Sequence, residues 1–338
     1  MKKRSLIALF AMMLVLILAL SACATVPSDN APTAAPDGET NATDAPPADP
    51  TTDPSETHPP AKENVAKVIL ILGQSNAVGA SSSVYLKNKV DADRYDLMRR
   101  DGYENVRIVY HAGEDAATNY RSKKIDTISS AKLFDKVKFG QSLTTPYFGL
   151  EIGIAEYLST AHPDETYYLI KVARGGESLS PKFLEGGELF ERAMTITEGS
   201  LSVLKREGMT PEIIAICWMQ GENEGSVKSL AESYEKSLEK LVEALRRRLA
   251  EYAPWKGIPF IDGGISTYWP YYKELNRSKI NFAERSGNNY FIDAIGLGIT
   301  TDQEPPGQPD LAHLDAESML KLGMEFGKYV DMAYEKVK

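Results

Sequence analysis

A histidine preceded at short range by a carboxylate is a natural general base. Asp310-Leu311-Ala312-His313 has that arrangement. Two residues separate the acid from the imidazole, so in a loop the side chains can turn toward one another. The carboxylate then orients and stabilises the ring. The alternative is a loop histidine with a chance aspartate beside it. The other histidines are weak rivals. His58 lies in a Pro/Thr-rich stretch, and His162 sits in Ala161-His162-Pro163-Asp164, a helix-end segment that reads as structural. His111 follows a strand and stays open as a substrate contact. A candidate nucleophile stands far upstream, in Leu72-Gly73-Gln74-Ser75-Asn76-Ala77-Val78-Gly79. A serine directly after a buried strand, with glycines flanking the turn, can be presented at a sheet edge. A helix starting there would aim its free N–H groups at the same point. An N-cap serine has the same surroundings, and the spacing alone leaves both readings open.

Those residues need a scaffold, and the hydrophobic pattern supplies one. Val65–Leu72 is an apolar, β-branched run broken only by Lys67 and ending at Gly73. Val106–Tyr110, Tyr167–Ala173, Glu212–Met219, Ile258–Asp262 and Tyr290–Ile292 are further predicted strands. Phe148–Leu158, Leu189–Lys205 and Val227–Glu251 have helical spacing, and Asp315 is placed to cap a last helix reaching about Ala333. Strands alternate with helices and are apolar throughout, which predicts an α/β fold with a parallel sheet covered on both faces. Ligands bind such sheets beyond the carboxyl ends of the strands. The segments found there are GQSN at 73–76, GGES at 175–178, QGEN at 220–223 and DLAH at 310–313.

Taken together these blocks carry a resemblance. Gly73-Gln74-Ser75-Asn76, Gly175-Gly176-Glu177-Ser178-Leu179, Trp218-Met219-Gln220-Gly221-Glu222 and Asp310 through His313 resemble the SGNH/GDSL hydrolase superfamily. Within it they look like the sialate O-acetylesterase and acetylxylan esterase branch (carbohydrate esterase family six and its relatives). His313-Leu314-Asp315 and Leu322-Gly323 fit that branch too. Each block alone is weak, but four in order across nearly the whole domain are strong. The resemblance implies a three-layer αβα sandwich around a central parallel sheet, flavodoxin-like in plan. It implies Ser75 as nucleophile, His313 as general base and then acid, and Asp310 as the orienting carboxylate. The oxyanion donors it implies are the backbone N–H groups of Ser75 and Gly176 and the side-chain amide of Gln220. A glycine suits the close approach of backbone to substrate, and a neutral amide donates without adding a titrating charge.

The chain departs from the wider pattern in places. Gln220 stands where the superfamily has asparagine, Glu177 where Ser or Thr is usual, and Ser318 where glycine is common. A negative Glu177 facing the pocket would disfavour an anionic sugar. Glu222 has two readings: contact with His313 as an alternative acid, or bracing of its own loop through backbone N–H groups, which is favoured. Asn223 and Glu224 shape the turn or the pocket rim. Gln74, Asn76, His111 and Glu177 are candidate substrate contacts. So are Tyr268 and Trp269, within an aromatic cluster reaching Tyr272, because exposed aromatic faces stack on sugar rings. Aromatic residues are more often packing, and that reading stays beside it. Residues 112–146 form a long polar segment with no assignable regular structure, either a functional lid or disorder. No cysteine or histidine pair has metal-ligand spacing, and no metal or other cofactor is implied.

The N-terminal residues read as targeting rather than fold. Lys2, Lys3 and Arg4 precede an apolar run from Leu6 to Leu20, too short to span a bilayer, which takes roughly 20 residues. It has the pattern of a signal peptide, and Leu20-Ser21-Ala22-Cys23 resembles a bacterial lipobox. Residues 1–22 are thus expected to be a lipoprotein signal, and 23–63 a lipidated cysteine with a Pro/Thr/Asp-rich tether. The tether has too little apolar surface to offset its ordering entropy. Its Asn41-Ala42-Thr43 sequon is read as accidental. Residues 64–338 form the expected catalytic domain, held by lipid on the outer face of a membrane of a bacterial cell envelope. Cys217, the second of two cysteines, has no partner for a disulfide. The net charge of -9 and the lack of a basic stripe argue against nucleic acid. The expected partners are an acetylated carbohydrate and, through the lipid, the membrane. The competing functions are a catalytically weak carbohydrate-binding protein and an esterase or acyltransferase acting on another acyl group.

Overall fold

Val68 to Gly73 are buried without interruption and form the second half of β1 (Val65–Gly73). A strand apolar on both faces must be covered on both, and β1 lies in the middle of its sheet. The chain continues through α1 (Ser75–Val78), β2 (Ser81–Ser82), α2 (Ala92–Asp96), β3 (Tyr103–Ala112), α3 (Ser130–Leu133), β4 (Asp135–Val137), β5 (Tyr147–Phe148), α4 (Leu150–Ala161) and β6 (Tyr167–Ala173). It then forms α5 (Glu188–Arg206), β7 (Thr210–Met219), α6 (Lys228–Arg248), β8 (Phe260–Gly263), α7 (Tyr272–Glu284), β9 (Asn289–Ile292) and α8 (Ala316–Val337). This computed structural model describes residues 63–112 and 127–338. The expected signal peptide, Cys23 and all but the last residue of the expected tether lie outside the described residues, as do 113–126.

The fold is mixed α/β, with a central, mostly parallel sheet flanked by helices. Seven strands lie in the order β4-β3-β6-β1-β7-β8-β9. Neighbours run parallel except β4, which is antiparallel to β3 at the edge. Strands β2 and β5 make a separate antiparallel ribbon. Alternation along β1 divides the interior into two apolar cores. Ile69 and Ile71 share one with α4 and α8, while Val68, Leu70 and Leu72 share the other with α5, α6 and α7. Helix α6 shows how the pattern works: Ala231, Tyr234, Leu238, Leu241, Val242 and Leu245 recur at three- and four-residue steps and are all buried.

Two expectations change, and one helix is added. Residues 127–146, read as irregular, contain α3 and β4; a three-residue strand is too short to show a period. Helix α7 had no forecast. Its buried residues are Leu275, Asn276, Ser278, Lys279 and Phe282, so helical spacing is present but most of the stripe is polar. Asp315 occupies the N-cap position of α8 without capping it through its side chain. Its Oδ1 accepts instead from Glu304 N at 3.0 Å, and Glu304 Oε2 accepts from Ala316 N at 2.7 Å.

Candidate active site

Strand β1 pairs with β6 on one side and β7 on the other, and Gly73 lies opposite both Ala173 and Met219. The three strands therefore end at one level, and the turns after them lie side by side. Gly73 has φ 144°, and a Cβ there would stand 2.0 Å from Met219 O. Only glycine lets β1 turn so close to β7, with Gln74 N donating to Met219 O at 2.9 Å. Ser75 follows as the first residue of α1, partly exposed, in the turn whose amides lack intrahelical acceptors. From the β6 side Gly175 faces it: a Cβ on Gly175 would stand 3.5 Å from Ser75 Cβ. Gly176 is exposed, with φ 71°.

His313 arrives from the other end of the chain. Its Nδ1 lies 2.7 Å from Asp310 Oδ2, and its backbone N–H donates to Asp310 O at 3.2 Å. Asp310 Oδ1 also accepts from Ala312 N at 3.2 Å, which closes the turn. The imidazole's hydrogen bond holds the Asp310 carboxyl below its ordinary pKa of 3.8. An ionised partner at Nδ1 fixes the proton there and leaves Nε2 as an acceptor. Asn76 joins this loop to the serine turn. Its Oδ1 accepts from Leu314 N at 3.1 Å, and its Nδ2 reaches Ala312 O at 3.5 Å. The residue after Ser75 thus holds the backbone on both sides of His313. Ser75 Oγ and His313 Nε2 are not hydrogen-bonded to each other; such bonds commonly tighten only once substrate is bound.

Several residues expected to touch substrate are buried and hydrogen-bonded to their neighbours. Asn76 is 2 % exposed and Gln74 3 %. Gln74 Oε1 accepts from Gln220 Nε2 at 3.2 Å. Gln220 is wholly buried, and its Nε2 also faces Glu177 O at 3.1 Å and Glu224 Oε2 at 2.5 Å. The amide's two hydrogens are engaged by internal acceptors, so Gln220 braces the turn rather than offering a free oxyanion donor. Glu222 is not hydrogen-bonded to His313. Its Oε1 accepts from Asn76 Nδ2 at 2.6 Å, so it braces through a side chain. The backbone bracing foreseen for Glu222 belongs to Glu224, whose Oε1 accepts from Leu179 N at 2.6 Å. Burial raises the Glu224 carboxyl above its ordinary value. The sign of this role was a second acid in the same Gly-rich turn.

The remaining candidates divide. His111 is 4 % exposed, with Nε2 at 3.1 Å from Arg192 Nη1, so it is packed rather than presented. Glu177 is partly exposed, but its carboxylate pairs with Arg174 Nε at 2.9 Å, which offsets the negative charge foreseen there. Asn223 Nδ2 donates to Ser178 Oγ at 2.7 Å and ties the β6 and β7 turns together. Tyr268 is exposed, whereas Trp269 lies against Gly225 and shares the core that includes α6 and α7. His162 ends α4 and pairs with Asp331 at 2.8 Å, in keeping with a structural role. Among the described residues no cluster of His, Cys, Asp or Glu could hold a metal ion.

Residues 65–331 match the model of a carbohydrate esterase family, described as sialic acid-specific acetylesterase. The chain belongs to that family. It is also similar to a probable carbohydrate esterase of Arabidopsis thaliana, 27% identical over 160 residues, which are 47% of this chain and 54% of the relative. The match thus spans about half of that relative. Two solved structures share the fold. One, a protein of Arabidopsis thaliana, has TM-score 0.56 and 18% identity, over 80% of this chain and 99% of its own. The other, NanS, has TM-score 0.56 and 15% identity, over 81% and 98%.

In this member of the esterase family two buried lysines hold the site from beneath. Lys171, on β6, donates to Val78 O at 2.9 Å and pairs with Glu151 at 2.8 Å, pinning the end of α1. Lys279, on α7, donates to Gln220 O at 2.6 Å, Gly263 O at 2.9 Å and Asp262 Oδ1 at 2.5 Å. Breaking a buried pair by removing one partner typically costs about 3–5 kcal/mol, so Lys279→Met should lower stability by roughly that much in urea unfolding. Replacing Asp262 by leucine as well should recover most of it. Burial pushes the Asp262 carboxyl up to about 7 against the pull of Lys279. A raised folded-state value means that this group's stability contribution is fully present below its ordinary value. It is lost as pH rises through the folded value. The loss in Lys279→Met should therefore be larger at about pH 8 than at about pH 5. A pH-independent cost under about 1 kcal/mol would refute this role for the pair.

Proposed function

We propose that this chain is a serine esterase that removes O-acetyl groups from a carbohydrate through an acetyl-enzyme on Ser75. The observation that carries the reading is the hold of Asn76 on both backbone neighbours of His313, which couples the Asp310–His313 pair to the serine turn. His313 Nε2 takes the Ser75 proton as Oγ attacks the acetyl carbon. The oxyanion is met by the backbone N–H groups of Ser75 and Gly176, with Gln220 holding the turns that carry them. His313 then protonates the departing sugar oxygen, and water, activated by the same imidazole, releases acetate. Family membership supports deacetylation of a carbohydrate.

The test is acetate release across a panel of acetylated glycans, together with a comparison of acetate and octanoate esters. The expected result is acetate release from at least one glycan and preference for the acetate ester. Preference for octanoate would point to a lipase-like or acyl-transferring enzyme. Glycan binding without turnover of any ester would remove the enzymatic reading.

We also propose that the protein is anchored by lipid on Cys23 at the outer face of a bacterial membrane, with residues 24–63 as the tether. The basic residues Lys2–Arg4, the apolar run from Leu6 to Leu20 and the lipobox-like Leu20–Cys23 support this. Cys23→Ser should move the protein from the membrane fraction to the soluble fraction. Retention in the membrane would count against the anchor.

A further inference from the structure

The proposed reaction sets a direction across the site, and that direction picks out a cleft. The acetyl oxygen must face the N–H groups of Ser75 and Gly176, on the β6 side. The departing oxygen must lie within reach of His313, the acid that protonates it. The alcohol part of the ester therefore lies on the His313 side. A cleft of about 180 Å³ borders His313, walled also by Asp310, Tyr85, Tyr147, Ser82 and Pro305; Ser75 itself does not line it. That volume is below the roughly 300 Å³ at which sites for drug-sized ligands begin, so it suits one ring rather than an oligomer.

The walls of the cleft are firmly placed. Tyr147 and Ser82 are partners in the β2–β5 ribbon. Ser81 Oγ donates to Leu314 O at 2.6 Å, tying the ribbon to the His313 loop. On the far side Asp310 N donates to Glu304 O at 2.9 Å, and Asp315 and Ala316 hold Glu304 as described above. Tyr147 is 36% exposed, a large ring left open to solvent at the edge of the cleft. An aromatic body with a polar tip suits a sugar, which has apolar C–H faces and a hydroxyl rim.

The charge of the cleft narrows the ligand further. Two carboxylates line it, Asp310 and Glu304, and among the described residues no lysine or arginine does. Lys89 reaches Glu304 from outside at 3.1 Å and is shared with Glu317 at 2.9 Å. A carboxylate on the sugar would meet like charge here.

We propose that the acetylated sugar ring sits in this cleft against Tyr147, and that it is an uncharged monosaccharide unit. The proposal rests on the esterase reading above. Its test compares kcat/KM for an O-acetylated methyl hexoside with kcat/KM for vinyl acetate, whose alcohol part has no ring. Both are measured on the full chain and on Tyr147→Ala and Tyr147→Phe. The hexoside-to-vinyl ratio should fall about tenfold or more in Tyr147→Ala and recover to within about twofold in Tyr147→Phe. Because a ratio is read, partial loss of folded protein cancels. No turnover of vinyl acetate by the unaltered protein would defeat the esterase reading itself. Turnover with a ratio unmoved by Tyr147→Ala would overturn only the placement of the ring. A higher kcat/KM for an O-acetylated sialic acid than for the neutral hexoside would overturn the preference for an uncharged ring.

Discussion

Ser75→Ala should abolish acetate release while leaving the fold intact. Losing the nucleophile of a serine hydrolase lowers kcat by about 10⁴-fold or more, because the acetyl-enzyme route closes and only binding and oxyanion stabilisation remain. The fold should not register the change. Ser75 Oγ makes no hydrogen bond among the described residues, and the turn is held by other groups: Gln74 N to Met219 O, Gly79 N to Ser75 O, and the Asn76 side chain. Removing the hydroxyl strands no buried partner, so stability should stay within about 0.5 kcal/mol of the unaltered protein. Steady-state kinetics with a small acetyl ester and a thermal melt check the two halves. Activity near that of the unaltered protein would remove Ser75 from the chemistry, and a collapsed melt would make it a structural residue.

Asp310→Asn should produce the second-largest loss, about 10²- to 10³-fold in kcat. The carboxylate accepts from Nδ1 at 2.7 Å and so fixes the tautomer in which Nε2 is bare. An asparagine amide can donate to Nδ1 instead, which favours the proton on Nε2, where Ser75 must deliver its own. The expected loss is smaller than for a fully buried aspartate because the Asp310 side chain is 56% exposed and water can partly replace it. The pH behaviour follows from the lowered pKa of the carboxyl. Its contribution is present above the ordinary value of 3.8 and is lost only as pH falls through the lower folded value. Asp310 is therefore ionised throughout the neutral and mildly acidic range, and the deficit of Asp310→Asn should persist across it. A variant within about threefold of full activity would show that another group orients His313.

The parts of this arrangement that could be read from the chain, and those that could not, differ in physical kind. Strands β1 and β6 were legible because uninterrupted apolar runs buried on both faces have few other uses. The order GQSN, GGES, QGEN, DLAH was legible because each block follows a strand or precedes a helix, and parallel strands end at a common edge. The division of labour among the polar residues was not legible. Gln74, Asn76, Gln220, Glu222 and Glu224 lie within two short turns, and their types suit substrate contact and bracing equally. Only the register of β1 against β6 and β7 decides which of them face inward. Glu304 was missed for a similar reason: an acid in a Pro/Gly-rich loop shows nothing of its bond to Ala316 N. Helix α7 escaped because Lys279 stands in its buried stripe, where a charged residue argues against burial until its carbonyl and carboxylate acceptors are known. The aromatic cluster drew attention by composition, yet the Trp269 ring packs inward. Tyr85 and Tyr147, far apart in the chain, line the cleft beside His313.

The central claim is covalent, and one measurement addresses it directly. The protein is mixed with an activated acetyl ester, turnover is stopped by acid within the first cycle, and the digested chain is searched by mass spectrometry for an added acetyl group. The expected result is a single acetyl ester on Ser75, absent from Ser75→Ala and strongly reduced in His313→Ala, where the serine has lost its general base. An acetyl group on another side chain, or full turnover with Ser75 unmodified at every quench time, would contradict it.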